Sequence, residues 1–554
     1  MFETISASSF AILSLLMATL LILRIKQRIE LSLAKQPGLS GHLRWAKRIA
    51  GWLPGYSYPH NTWFSVDDAP ADVSTKRQRA LHDLGERLRN KSPLTLAQTQ
   101  AVKPMISDLQ FISQYRIPFQ FREVLTQQVQ MGSFWASSEG VHLIDLDGNK
   151  YIDVTGSYGV NLMGQDFYKA CMQEGIDLVK NLGPVLGSYH PCVLENVQAL
   201  CKISNKDEVS FHMSGTEAVM QAVRLARYHT GKKKLVRFAG AYHGWWDDVQ
   251  PGPGNPMPPS DHTLTLREMH ESTLRVLNHR SDIACVLINP LQGMHPNQAA
   301  PTDSTLVDAK RHAHFDKIAY TQWLVQLREV CTRKNIALIF DEVFMGFRLA
   351  RGGAQAYFNI DADLVTYGKT LGGGLAVGVI CGKSKWMKRF DDSKPGQICF
   401  ARGTFNANPY VMGSMNVFLK QIYKPQISAL YETLDATWER RLKQMNQRLR
   451  DEKLPLQVTG MSTVWTILYE VPSRYNWMFQ YYLRNQGIAL SWVGTGRMIF
   501  SLNFSDQDFE QFMNQFVLAG HQMANDQWWW TPQGQTNQKI RKLIFREVLK
   551  EKFS

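Results

Sequence analysis

Leu364-Val365-Thr366-Tyr367-Gly368-Lys369-Thr370-Leu371-Gly372-Gly373-Gly374 carries an apolar segment straight into a lysine set among glycines. The pattern predicts a buried strand opening into a turn, where small residues let a flat ligand approach Lys369 with little obstruction. A short distance upstream a second apolar run, residues 336–340, ends in Asp341 and Glu342. Each predicted strand therefore ends in an ionisable group, an amine on one and a carboxylate on the other. Taken singly, these read as a surface lysine and a helix-capping aspartate; the neighbouring motifs change that reading.

Ser214-Gly215-Thr216-Glu217-Ala218 precedes residues 219–229, which read as a helix. Two hydroxyls and the unobstructed backbone of Gly215 make a phosphate cradle at a helix start. Val236-Arg237-Phe238-Ala239-Gly240-Ala241-Tyr242-His243-Gly244 opens an apolar segment into a glycine-bounded aromatic pair. Tyr242 is placed to stack on a flat ring and His243 to line the pocket. A lysine that forms an imine and an aspartate that holds a proton on a ring nitrogen are what pyridoxal phosphate (PLP) chemistry requires.

These segments, in this order, resemble the class III aminotransferases of PLP fold type I, and most nearly their glutamate-1-semialdehyde aminomutase branch. The resemblance runs over residues 134–516. Its first landmark is the entry hairpin of residues 141–153, whose Asp147-Gly148 is also a tight-turn signal on physical grounds. The resemblance implies that Ser214, Gly215 and Thr216 bind the cofactor phosphate and that Tyr242 stacks on the pyridine ring. It implies that Asp341 pairs with the ring nitrogen, that Val343 packs on the opposite face, and that Lys369 joins the cofactor covalently. Gly403-Thr404-Phe405-Asn406-Ala407-Asn408-Pro409 resembles the segment that donates a phosphate-binding threonine, here Thr404, across a homodimer interface.

One departure concerns Ile288-Asn289-Pro290-Leu291-Gln292-Gly293. Many relatives carry a glutamate where this chain has Asn289. An amide cannot form the carboxylate–arginine pair that some relatives use to handle two substrates in turn. Substrate candidates are therefore read separately: His190, after Gly187-Ser188-Tyr189; Asn289; and Arg497, a cation suited to a carboxylate. The expected activity moves an amino group from a donor to an aldehyde or ketone, with a hydrophobic carbonyl compound as the working expectation. The alternatives are an intramolecular aminomutase and a non-catalytic membrane-associated binding protein.

The N-terminus carries a separate signal. Residues 4–23 contain no charge, residues 10–23 are strongly apolar, and Arg24, Lys26 and Arg28 follow. That is close to the roughly 20 residues of a membrane-crossing helix, and the flanking cations predict a retained anchor with the catalytic part facing the cytoplasm. A helix lying on the membrane surface is the alternative. Residues 24–50 are basic with interspersed Leu and Trp45; Trp528, Trp529 and Trp530 stand before a basic tail with Ile540, Leu543, Ile544, Val548 and Leu549 at helical spacing. The tail reads either as membrane contact or as packing against the N-terminal extension or a partner. Both ends together lead us to expect a membrane-associated enzyme.

A chain of 554 residues exceeds a single core of about 250–300 residues. The reading assigns residues 1–50 to the anchor, 51–130 to a helical extension and 131–169 to the first part of a small α+β domain. Residues 170–410 form a large α/β domain with a mainly parallel seven-stranded sheet, 411–525 complete the small domain, and 526–554 form the tail. Apolar segments alternating with helical ones argue for that parallel sheet. Seven cysteines without CxxC spacing form no zinc framework, and no metal is expected. The net charge of +14 is concentrated near the chain ends without a nucleic-acid motif, so nucleic acid is not an expected partner.

Overall fold

The alternation becomes a seven-stranded sheet in the computed structural model, which describes residues 7–39, 41–115, 117–290, 316–491 and 496–554. Residues 4–6 of the apolar N-terminal stretch and 291–293 of the Asn289 motif lie outside that description. A hairpin comes first: β1 (Ser137–Glu139), β2 (His142–Ile144) and β3 (Lys150–Val154). Its β2–β3 turn is closed by Asp145, whose carboxylate accepts from the backbone of Asp147 and Asn149. The main sheet follows with β4 (Glu208–His212), β5 (Lys234–Phe238), β6 (Thr263–Leu266), β7 (Ile283–Ile288), β8 (Ala337–Asp341), β9 (Leu364–Gly368) and β10 (Gly378–Gly382). Their order is β4-β10-β9-β8-β7-β5-β6. Only β10 runs antiparallel, to both of its neighbours.

β7, β8, β9 and β10 are buried along their whole length. That is why their sequences read as continuous apolar runs rather than alternating ones. The fold is the α/β arrangement of PLP fold type I with a helical N-terminal extension. Three later strands, β11 (Leu456–Met461), β12 (Val464–Tyr469) and β14 (Arg497–Ile499), form a second sheet, while β13 (Ile488–Leu490) joins β3 in parallel.

The membrane expectation is corrected. Among the described residues no helix is long and apolar enough to cross a membrane. The helix Ala7–Leu33 continues through Arg24, Lys26, Arg28 and Glu30, so the cations stand within it rather than beyond it. The helix ends against the enzyme body: Glu30 pairs with His279 at 2.9 Å, and the carbonyl of the buried Ala34 accepts from Arg267 N at 2.7 Å. The basic flank is likewise tied down, with Arg44 on Asp261 at 2.7 Å and Lys47 on the Met257 carbonyl. Membrane attachment and a membrane-facing localisation are therefore withdrawn.

The tryptophan-rich tail packs inward. Trp528 and Trp529 are buried, and Trp63, Phe121, Tyr475 and Trp528 form one aromatic cluster with ring centroids 5.2–6.0 Å apart. Arg77 runs through it. Its guanidinium donates to both oxygens of Asp67 at 2.8 and 2.9 Å and to the carbonyls of Phe64, Gln527 and Trp530. A second buried arginine, Arg474, donates to Glu547 of the terminal helix, and Tyr58 donates to the same carboxylate. The extension and the tail are thus stitched together through charges that burial makes costly to leave unpaired. Arg77→Ala strands the Asp67 carboxylate and should lower unfolding stability by about 3–5 kcal/mol in urea titrations followed by tryptophan emission. A loss below about 1 kcal/mol, the range of an exposed pair, contradicts this account.

Candidate active site

The site is built where the segments following β4, β5, β8 and β9 leave the same end of the main sheet. β8 and β9 are parallel, and their register sets Asp341 opposite Thr366. Lys369 follows β9 immediately and takes a left-handed backbone, φ 46°, that a side-chain-bearing residue seldom adopts. Thr370 beside it shares a hydrogen bond with the buried Tyr168, which fixes the turn. The Lys369 amine stands 4.8 Å from the centre of the Phe344 ring.

Asp341 is buried and held by three donors. Val343 N and Thr366 Oγ1 donate to Oδ1 at 3.1 and 3.2 Å, and His243 Nδ1 donates to Oδ2 at 2.6 Å. The His243–Asp341 contact has ion-pair geometry, yet burial drives the His243 pKa down more strongly than the carboxylate raises it. We therefore take the ring as neutral, with its proton on Nδ1. Its Nε2 is buried without a partner among the described residues.

Ser214 caps the helix Gly215–Thr230, its hydroxyl accepting from Glu217 N at 3.2 Å. The first-turn N–H groups of such a helix have no intrahelical acceptor and make an anion site with the hydroxyls of Ser214 and Thr216. Two glycines let these parts close together. A Cβ on Gly215 would sit 2.7 Å from Val343 Cγ1, and one on Gly244, at φ 96°, would sit 2.4 Å from Thr216 Oγ1. Tyr242, next to His243, leaves 64% of its surface exposed, a free ring face at the cleft.

By area Lys369 keeps an opening to the cleft, but its amine is enclosed at depth, and depth governs desolvation. Burial lowers its pKa to about 8; Asp341 opposes the shift, while Arg348 and Arg497 add to it. Arg497, on β14, is thus within electrostatic reach of the amine. Arg348 is fully buried, donating to Thr463 Oγ1 at 2.6 Å and to the carbonyls of Phe500 and Gly159 at 3.1 and 3.3 Å.

The structure brings together Ser214, Gly215, Thr216, His243, Asp341, Val343 and Lys369, with Tyr242 and Arg497 close by. Asn289 ends β7, buried, with its side-chain oxygen unpaired among the described residues. His190 is placed differently: its Nδ1 accepts from Cys192 N at 3.2 Å and serves the start of the helix Cys192–Ser204. Thr404 stands exposed in a turn, with no hydrogen bond to the other site residues among those described. Nothing in the single chain supports its donation to a second active site, so that expectation is withdrawn, although pairing of two copies is compatible with the fold class. Sequence reasoning missed Phe344, Arg348 and Thr366. Thr366 was available from strand pairing, since it lies in the quoted segment opposite Asp341.

PLP fits these residues: a helix-terminal anion cradle, an exposed aromatic ring face at Tyr242, a buried acid and an amine of lowered pKa. Residues 125–249 and 313–519 match the family model of the class-III aminotransferases. The glutamate-1-semialdehyde 2,1-aminomutase of Chlorobium limicola is 32% identical over 334 residues, 56% of this chain and 72% of that protein. The enzyme of the same name from Caldicellulosiruptor bescii is 28% identical over 410 residues, 68% of this chain and 88% of that one. A solved transaminase with PLP bound superposes with a TM-score of 0.60 at 25% identity, covering 76% of this chain and 100% of the other. The chain belongs to the class-III aminotransferases and is a PLP-dependent enzyme of aminotransferase or aminomutase type.

In the cofactor-free protein the lowered pKa makes Lys369 neutral, and so nucleophilic, at a pH where surface lysines are still charged. Its acylation by a water-soluble reagent should rise with a midpoint near pH 8, read residue by residue by peptide mass spectrometry. A midpoint near the ordinary lysine value of about 10.4 contradicts the reading.

Proposed function

We propose that this class-III enzyme is an intramolecular aminomutase, in which both halves of the amino transfer act on one substrate with adjacent amine and carbonyl carbons. The observation that carries the reading is the enclosed, partly neutral Lys369 amine beside a buried and fully held Asp341. The choice of an internal shift rests on the two sequence relatives, both 2,1-aminomutases by name. Asn289 agrees with it, because a neutral amide offers no carboxylate to an arginine switch between two different substrates.

When bound, PLP supplies a carbonyl that condenses with amines and a ring that accepts electron density from the neighbouring carbon. The chain's own residues do the rest. Ser214, Thr216 and the open backbone at Gly215 bind the phosphate, drawing on the helix terminus. Tyr242 and Val343 confine the ring from its two faces. Asp341 keeps the ring nitrogen protonated, and His243 holds that carboxylate in orientation through Oδ2. With the cofactor bound, Lys369 Nζ would move a proton between the nitrogen-bearing substrate carbon and the cofactor's carbonyl carbon, a task that needs a pKa near working pH. Phe344 beneath the amine and the buried Arg348 limit where Nζ can swing.

The test supplies 2-amino aldehydes with no second amine or carbonyl compound present and follows the isomeric 1-amino ketones by mass spectrometry. Conversion with the amino nitrogen retained is expected. Conversion that requires an added donor and acceptor assigns a two-substrate aminotransferase and overturns the internal shift. Asp341→Asn should retain cofactor absorbance while losing about 100-fold or more of the rate, the scale of one lost electrostatic support at a reacting centre. An unimpaired rate would remove Asp341 from its proposed role.

A further inference from the structure

We infer that the N-terminal extension builds a binding site for an uncharged alkyl chain carried by the substrate. The inference rests on the amine-converting site proposed above and names the class of molecule it takes. A cavity of about 860 Å³ lies between the extension and the body of the enzyme. That is within the roughly 300–1,000 Å³ typical of small-molecule sites. Its outer wall includes Ile106, Leu109, Ile112, Ile117 and Val129, from the helices Ser107–Tyr115 and Arg122–Gln128 and the segments flanking them.

The inner end adjoins the reaction centre at two borders, one residue away at the first and across a small recess at the second. Thr155, Ser157 and Tyr158 line the cavity, and the next residue, Gly159, packs on Phe344 and on the Lys369 side chain: a Cβ there would lie 2.6 Å from Phe344 Cδ2 and 3.4 Å from Lys369 Cδ. Leu490 and Ser491 also line it, and both border the small recess that holds Arg497. Ser157 and Tyr158 both have left-handed backbones, φ 44° and 57°, so the chain is bent at this border.

The chemistry of the lining selects the occupant. Aliphatic side chains make up much of the outer wall. The deep cation, Arg484, is engaged by stacking on Trp135 and Tyr151, 4.4 and 4.0 Å from their ring centres. The other charged side chains of the lining, Lys103 and Asp108, are of opposite sign on the outer helices. The lining thus keeps a small excess of positive charge, on a guanidinium already stacked on two rings, while an alkyl chain leaves water for the aliphatic walls. Most of that outer wall, residues 106–117, precedes the family match, which begins at residue 125. That part of the wall lies outside the residues matched to the family model.

Two measurements on the full-length PLP-loaded enzyme test this. Unreactive n-alkanols from butanol to dodecanol are titrated calorimetrically, and unbranched 2-amino aldehydes of the same lengths are scored for their rate of conversion to the isomeric 1-amino ketones. Both should strengthen with length, by about fourfold per methylene until the cavity is filled. Leu109→Trp and Val129→Trp, on different elements, should each lower the ratio of the rates on 2-aminodecanal and 2-aminobutanal by about tenfold or more, with circular dichroism confirming the fold. Should either variant misfold, the length series on the unaltered enzyme decides. Length-dependent alkanol binding without conversion of any 2-amino aldehyde keeps the cavity and overturns the reaction reading. Conversion that ignores chain length, together with flat alkanol affinity, overturns the cavity and leaves the reaction standing.

Discussion

The structure depends on keeping an amine and a carboxylate at the ends of two adjacent buried strands without letting them neutralise each other. The register of β8 and β9 puts Asp341 opposite Thr366, and Lys369 follows three residues later. Asp341 spends its hydrogen-bonding capacity on Val343, Thr366 and His243. Lys369 is turned by its left-handed backbone toward Phe344. Burial and the fields of Arg348 and Arg497 then outweigh the attraction of Asp341, and the amine pKa falls to about 8. Had the two paired directly, the opposite shift would follow and the amine would be locked in its charged form.

That arrangement leaves a local excess of cationic groups around one carboxylate. Lys369, Arg348 and Arg497 surround the cleft, and the helix beginning at Gly215 adds the positive end of its dipole. An anionic cofactor relieves the excess, which is why a phosphate-bearing ring suits the site electrostatically as well as sterically. Neutral His243 belongs to the same balance. A charged imidazole at 2.6 Å from Asp341 would add another buried cation close to Arg237, whose own pKa burial already lowers to about 10.

The parts of this design that are local in sequence were legible there. The apolar runs 336–340 and 364–367 announce buried parallel strands because nothing but apolar side chains survives on both faces of such a sheet. Ser214-Gly215-Thr216 announces a helix start because its chemistry lies within one turn. Phe344 and Arg348 were not legible, since their meaning comes from Gly159 and Thr463, far away in the chain. The N-terminus misled for a related reason, whereas packing of the tail against the N-terminal extension was one of the two readings its sequence offered. Composition shows that Trp528 and Trp529 are apolar and that Arg and Lys are plentiful; it does not show that Arg77, Asp67, Arg474 and Glu547 form internal pairs that draw both ends onto the body. His190 likewise sits in the expected stretch of chain but turns its ring to a helix start.

The same long-range stitching explains how an added segment can bear on a shared reaction. An extension held by a few surface contacts would leave its inner face mobile and unable to define a cavity. Here the extension is clamped at Arg77 and at Tyr58, through side chains that are buried and multiply bonded, while Ser92 and Thr95 fasten it to Asp145 and Asp147 of the β2–β3 turn. That turn leads into β3, which runs on to Ser157, Tyr158 and Gly159 beside Lys369. The extension and the reaction centre are therefore joined through one short strand. A catalytic body whose residues are fixed by sheet register can keep its chemistry while the wall around its substrate is supplied by chain outside that sheet.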